Sequence, residues 1–192
     1  MATKNVLQDI EREIKRYVST NLPRTAGKMA VDEFRENFHR QGFRNNGLHR
    51  WPDVKRRDPS SPWYGFQYKG EHRTSVRIVR DRKTGKTRRS QSQSKLNFSN
   101  SATKRGILIG PGSNLMRSVT VRQATAQRVA IGTDLPYAEV HNEGGYIRVF
   151  GKAKVKVPKR QFIGESRELM QAIEKKFLRE VDRITDEVAA RF

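Results

Sequence analysis

The sequence predicts an α+β fold: an antiparallel sheet packed against N-terminal helices and a long C-terminal helix, with a long basic loop or arm inserted. Three observations predict it. Apolar residues recur at helical spacing at both ends of the chain, short alternating runs punctuated by glycine fill residues 106–157, and residues 42–104 show no helical period. The expected organisation is one domain over 1–192. N-terminal helices reach residue 41, an irregular basic arm spans 42–105, the sheet spans 106–164 and the C-terminal helix spans 165–192.

Val6, Ile10, Ile14 and Tyr17/Val18 place an amphipathic helix over about Lys4–Ser19. Asn21-Leu22-Pro23 interrupts it, and Pro23 suits the first turn of a second helix. Ala26, Ala30, Phe34 and Phe38 form the stripe of that helix, whose small residues invite a close neighbour. Glycines and prolines from Gly42 to Pro62 then predict an irregular loop carrying Trp51, Trp63, Tyr64, Phe66 and Tyr68. A short strand is expected at Arg73–Val79, and residues 81–105 have the composition of a disordered or extended arm. Gly106–Gly110 reads as a short buried strand, Leu115–Arg122 as an alternating strand and Ala126–Gly132 as its hairpin partner. Tyr146–Val149 and Ala153–Val157 read as a second hairpin around Gly151-Lys152. Leu169, Ile173, Phe177, Val181, Ile184 and Val188 draw the seam of the last helix, with Glu165 and Glu168 favourably placed at its positive end.

The formal charge is +20, and its distribution is uneven. Residues 1–40 hold 8 basic and 6 acidic side chains, residues 131–192 hold 12 and 10, and residues 41–130 hold 20 and 4. The middle therefore carries +16 of the total, a field that attracts nucleic acid or an acidic protein face. A solvated, self-repelling loop is the other reading of the same composition. Arg80, Arg82, Lys83, Lys86, Arg88, Arg89, Lys95, Lys104 and Arg105 are the candidate polyanion or partner contacts. Cysteine is absent, so no disulfide and no thiolate chemistry is available. No apolar run reaches the roughly 18 residues of a membrane span, and the N-terminus lacks an apolar signal core, so a soluble protein made in a cytoplasm is expected.

Catalytic patterns are missing. The four histidines form no zinc-spaced pair, and Glu139-x-His141-x-Glu143 reads as a turn rather than a ligand set. Gly110–Ser118 lacks the Gly-Lys-Ser/Thr ending of a phosphate loop, and Thr84-Gly85-Lys86-Thr87 lacks its upstream glycine. Asp53, Asp58, Glu71 and Asp81 are the only acids of the cationic middle, too few and scattered for a two-metal nuclease. No enzyme, cofactor or metal is expected. The aromatic residues between Arg44 and Arg82 suit packing beneath a loop better than base stacking.

One ordered run carries a resemblance. It comprises Gly106–Gly110, Asn114–Val119, Ala130-Ile131-Gly132-Thr133, Pro136–Gly145 and Arg160–Ser166. That order resembles the tail-completion, or virion morphogenesis, proteins of tailed bacteriophages, most closely over residues 106–170. The resemblance implies a structural virion protein assembled in the bacterial cytoplasm. Such a subunit forms a ring, six-fold by analogy with tail tubes, that caps the tail in the neck and joins it to the head connector. Its implied partners are further copies of itself, tail-tube and connector proteins, and genomic DNA in the lumen; a membrane is not among them. Carried over, Tyr137, Ala138, His141, Gly144 and Gly145 would form a turn at the sheet edge. Arg160, Phe162 and Gly164 would anchor the start of the last helix. The basic insertion over about Arg80–Lys104 departs from that pattern, and the alternative is a nucleic-acid-binding protein acting through residues 41–130.

Overall fold

The computed structural model describes residues 2–67, 76–80, 83–91, 98–110, 112–149 and 153–191. It is a mixed helix and sheet structure, with N-terminal helices, small antiparallel sheets and a long C-terminal helix. The chain divides into two compact units, Met1–Pro52 with Pro111–Phe192, and Asp53–Gly110. Among the described residues the strands pair as four two-stranded antiparallel hairpins, two of them within residues 106–164, where the sheet was expected.

In the first unit, helix α1 (Ala2–Arg16) runs through a π turn (Tyr17–Asn21) into helix α2 (Leu22–Arg40). Pro23 explains the wide turn: it has no N–H to give to Ser19, and its ring would strike that carbonyl in a regular helix. The path widens instead, and the Leu22 amide donates to the carbonyl of Tyr17. Helix α6 (Arg167–Ala189) packs on this pair through Tyr17, Ile184 and Val188, joined by Ile10, Ile14 and Phe177. The stripes read from the sequence for the first and last helices therefore meet in one core.

Residues expected to be irregular open with strands β1 (Gly42–Arg44) and β2 (Leu48–Arg50), an antiparallel hairpin. Its turn takes Asn46 and Gly47 to positive φ, 52° and 111°. The start of α6 docks there. The Asn46 and Gly47 amides donate to the Glu168 carboxylate at 3.1 and 2.9 Å, and the Arg167 amide donates to Asn45 Oδ1. Glu168 thus serves the turn more than the helix dipole, and Ser166 supplies the N-cap by accepting from the Leu169 amide.

Leu115–Arg122 departs from its expected strand. It begins as helix α4 (Asn114–Ser118) and only then becomes strand β5 (Thr120–Ala124), paired with β6 (Val129–Gly132). Leu115 and Val119 explain the difference: both are buried, and a separation of four fits a helical turn as well as alternation. The hairpin lies on α2 where Gly27 admits the side chains of Val121 and Val129. Arg35 fixes the junction, donating to the carbonyls of Arg117 and Val119. Helix α5 (Ala138–Glu143) and the antiparallel hairpin of β7 (Gly145–Val149) and β8 (Ala153–Val157) complete the unit before α6.

The second unit contains a 3-10 turn (Lys55–Arg57), strands β3 (Val76–Arg80) and β4 (Thr87–Gln91), and helix α3 (Asn100–Lys104). The β3–β4 pairing overturns the expectation of an extended arm in its described part. Gly85 at φ 67° makes the reversal, and Arg80 Nε donates to its carbonyl. Gly106–Gly110 is a turn instead of a strand: the Ile109 amide donates to Gly106, Ile109 folds back over that glycine, and Leu108 sits at φ 58°. Arg56 closes the unit, donating to the carbonyls of Ala102, Arg105 and Gly106. Trp63, Phe66 and Phe98 make successive edge contacts, while Trp63 and Tyr64 stay substantially exposed; Tyr68 lies outside the described residues.

Phe38 is fully buried, with ring centroids 5.6 Å from Trp51 and 5.1 Å from Phe162. Phe38→Ala is expected to lower unfolding free energy by about 3–5 kcal/mol, read as a drop in denaturant midpoint at unchanged slope.

Candidate assembly site

The residues singled out between 137 and 164 converge on one extended strap, residues 159–164, which runs from the base of β8 to the start of α6. Three elements hold it. From α5, Asn142 Oδ1 accepts from the Phe162 and Ile163 amides at 2.9 and 3.0 Å, and its Nδ2 donates to the Ile163 carbonyl at 3.1 Å. The His141 carbonyl accepts from the Arg160 amide at 2.7 Å. From α2, the buried Asn37 donates to the Phe162 carbonyl at 3.2 Å. From the end of the β1–β2 hairpin, Trp51 Nε1 donates to the Gln161 carbonyl at 2.7 Å, and Arg160 Nε donates to the Pro52 carbonyl at 3.0 Å. A strap has no ladder of its own, so these side chains satisfy backbone groups that would otherwise be buried unpaired.

Tyr137, Ala138 and His141 lie at the start of α5 and within it, where a turn at a sheet edge was expected. Ala138 is buried, and Tyr137 is exposed with its ring edge-on to His141. Gly144 and Gly145 are the passage from α5 into β7, at φ 78° and 145°. Gly144 has a second reason to be glycine: a Cβ there would lie 2.9 Å from the Lys159 amide nitrogen. Arg160 and Phe162 are buried in the strap, and Gly164 lies against Gln161 and Phe43. The sequence pattern missed Asn142, Asn37 and Trp51 as its partners. The first signal was there in Asn142, a short amide one residue past the histidine.

Electrostatics reinforce the arrangement. Burial, and secondarily the Arg160 charge, push the His141 pKa below its ordinary value, which favours the neutral ring. Glu143, at the end of α5, pairs with Lys159 at 3.1 Å, and the Lys159 bond, with help from Asn142, lowers its pKa.

The strap separates two clefts. One, of about 410 Å³, lies among Ile131, Leu135, Pro136, Glu139 and Ile163. The other, of about 310 Å³, has Phe43, Trp51 and Gln161 as its apolar and amide wall, with Arg50 and Lys159 at its margin. Among the described residues no group of three or more acidic or histidine side chains could hold a metal.

The basic candidates belong to the second unit. Arg80, Lys83, Lys86 and Lys104 are exposed and Arg105 is partly buried. Arg88 and Arg89 lie in β4 opposite Val79 and Ile78, while Arg82 and Lys95 lie outside the described residues.

The family model of phage virion morphogenesis proteins matches residues 64–182, well over half of the chain. The chain belongs to that family. It is accordingly a virion-associated morphogenesis protein of a tailed bacteriophage. No curated protein and no solved structure matches it. The matched range takes in α5, β7, β8 and the whole strap, but stops short of α2 and the β1–β2 hairpin. Asn37 and Trp51 are thus supplied to a family segment from outside it. Among the described residues no helix is long and apolar enough to cross a membrane.

Asn142→Ala removes the acceptor of two amides and is expected to destabilise by about 2–4 kcal/mol, while Asn142→Asp, which keeps that acceptor, costs less in the same denaturant titration. His141 sets a pH dependence of definite sign. Its folded pKa lies below the unfolded one, so the unfolded chain takes up the proton first and stability falls as pH drops below roughly 6.5. His141→Gln should flatten the unfolding midpoint between about pH 7.5 and 5.5, a window above that of the carboxylates, whose lowered pKa values act in more acid solution.

Proposed function

We propose that the protein is a non-enzymatic tail-completion subunit, several copies of which form a ring in the neck that caps the tail and joins it to the head connector. Family membership over residues 64–182 carries the reading. The build of the first unit supports it: a helix-backed body whose family segment is pinned by buried amides is a rigid part, suited to holding a fixed neighbour. Partners on this reading are further copies of the chain, the tail tube and the connector. The exposed cations of the β3–β4 hairpin, Arg80, Lys83 and Lys86, then face genomic DNA in the lumen or an acidic connector surface.

The charge of +16 on residues 41–130 favours one other reading, a nucleic-acid-binding protein acting on its own. Sedimentation or mass photometry at about 0.15 M salt, with and without purified tail tubes, separates the two. The tail role predicts a discrete ring, or capture of the chain at tube ends. A persistent monomer that ignores tubes and binds DNA, with log affinity falling linearly against log salt, overturns it.

A further inference from the structure

The β3–β4 hairpin carries arginine on both of its faces. Its register pairs Arg77 with Ser90, Ile78 with Arg89, Val79 with Arg88 and Arg80 with Thr87, so four of its five cross-strand pairs hold one arginine each. Alternation along the strands places Arg77 and Arg88 on one face, and Arg80 and Arg89 on the other. Residues 76–91 contain seven basic residues against one acid, Asp81. The hairpin is a two-stranded sheet by itself. Its tip, residues 83–87, is exposed, and a Cβ added at Gly85 would meet nothing within 4 Å.

That distribution decides between polyanions. A face set with arginines cannot be buried against an apolar surface without desolvating guanidinium groups. A flat acidic protein surface meets one face of a ribbon and leaves the other unmatched. The major groove of duplex DNA offers two walls: it is about 12 Å wide and about 8.5 Å deep, with phosphates along both rims. A β-ribbon with its side chains is about 10 Å thick, the spacing of stacked sheets, and rises about 3.4 Å per residue. Standing tip first it fits between the rims, and residues 78–80 with 87–89 span the depth. Like charges crowded on so short a ribbon repel one another, and flanking phosphates relieve that repulsion.

We infer that the β3–β4 hairpin enters the major groove of duplex DNA tip first, with one cationic face toward each phosphate rim. The face of Arg77 and Arg88 meets one rim and the face of Arg80 and Arg89 the other, while Lys83 and Lys86 lead at the tip. The contacts are to the backbone, so the grip is indifferent to sequence. Duplex RNA does not fit, because its major groove is deep and too narrow for side chains to enter. The inference deepens the proposed tail role by choosing DNA over an acidic connector surface as this hairpin's partner, and rests on that role only for where chain and duplex meet.

Arg88 and Arg89 are neighbours in sequence on opposite faces, so single substitutions probe the two faces separately. Full-length Arg88→Gln and Arg89→Gln chains are titrated by fluorescence anisotropy against a random-sequence DNA duplex of about 30 base pairs, between about 0.05 and 0.2 M salt. Each substitution should weaken binding about fivefold and flatten the slope of log affinity against log salt by about 0.9. The double variant should lose about twenty-fivefold and about 1.8 in slope. Lys86→Gln, in the reversal outside both strands, leaves the pairing intact and should weaken binding to a similar degree. Bulky 5-substituted cytosines, which crowd the major groove, should reduce wild-type binding, and a minor-groove ligand should not. Unchanged binding in all three variants, a loss from one face alone, or equal affinity for duplex RNA or polyglutamate overturns the groove fit. If that happens while tail tubes still capture the wild-type chain, the tail role stands. A chain that ignores tubes yet grips DNA through both faces keeps the inference and overturns the tail role.

Discussion

The first unit depends on one set of hydrogen bonds, those that Asn37, Trp51 and Asn142 make to the backbone of residues 161–163. An extended segment crossing a core must find partners for its amides and carbonyls, and no neighbouring strand offers them. Side-chain amides and an indole do so instead, each reaching from a different element. Their net worth is modest bond by bond, but leaving any of the backbone groups unpaired is costly. The apolar packing is organised around the same place: Phe38 packs against both Trp51 and Phe162, and the segments of Phe38 and Trp51 also bond the strap.

How much of this was legible in the sequence depended on the range of the interaction that decides each element. The long helices α1, α2 and α6 were readable because their seams are periodic, and the hairpins β5–β6 and β7–β8 because alternation and glycine bracket them, whereas the short helices α3, α4 and α5 were read as arm, strand and turn. Shorter apolar runs were ambiguous. Leu115 and Val119 suit a helical turn or a strand equally, and the run at Gly106–Gly110 became a turn because Gly106 tolerates Ile109 folding back upon it. The second unit misled by composition: a basic, serine-rich stretch looks unable to order itself, yet a glycine reversal and Arg56 order its described part. At the strap, Arg160, Phe162 and Gly164 stood out through the family resemblance. The side chains that bond the strap lie 20 to 125 residues away, and of them only Asn142 falls inside the run that carries the resemblance.

Charge follows a similar division. The second unit carries exposed cations, and those of β7 and β8 sit on a face of their own. Arg160 differs, being buried, bonded to the Pro52 carbonyl and close enough to His141 to lower its pKa. A single total of +20 conceals these distinct uses.

The sequence separation of the strap's contacts has a consequence for synthesis. Asn37 and Trp51 leave the ribosome long before residues 161 and 162, to which they bond. The first unit therefore cannot seal while its chain is being made, and contacts of such long span favour slow, late closure. Asp53–Gly110, by contrast, is one unbroken segment that can collapse during translation. A nascent chain would present its basic insert early and complete its first unit last.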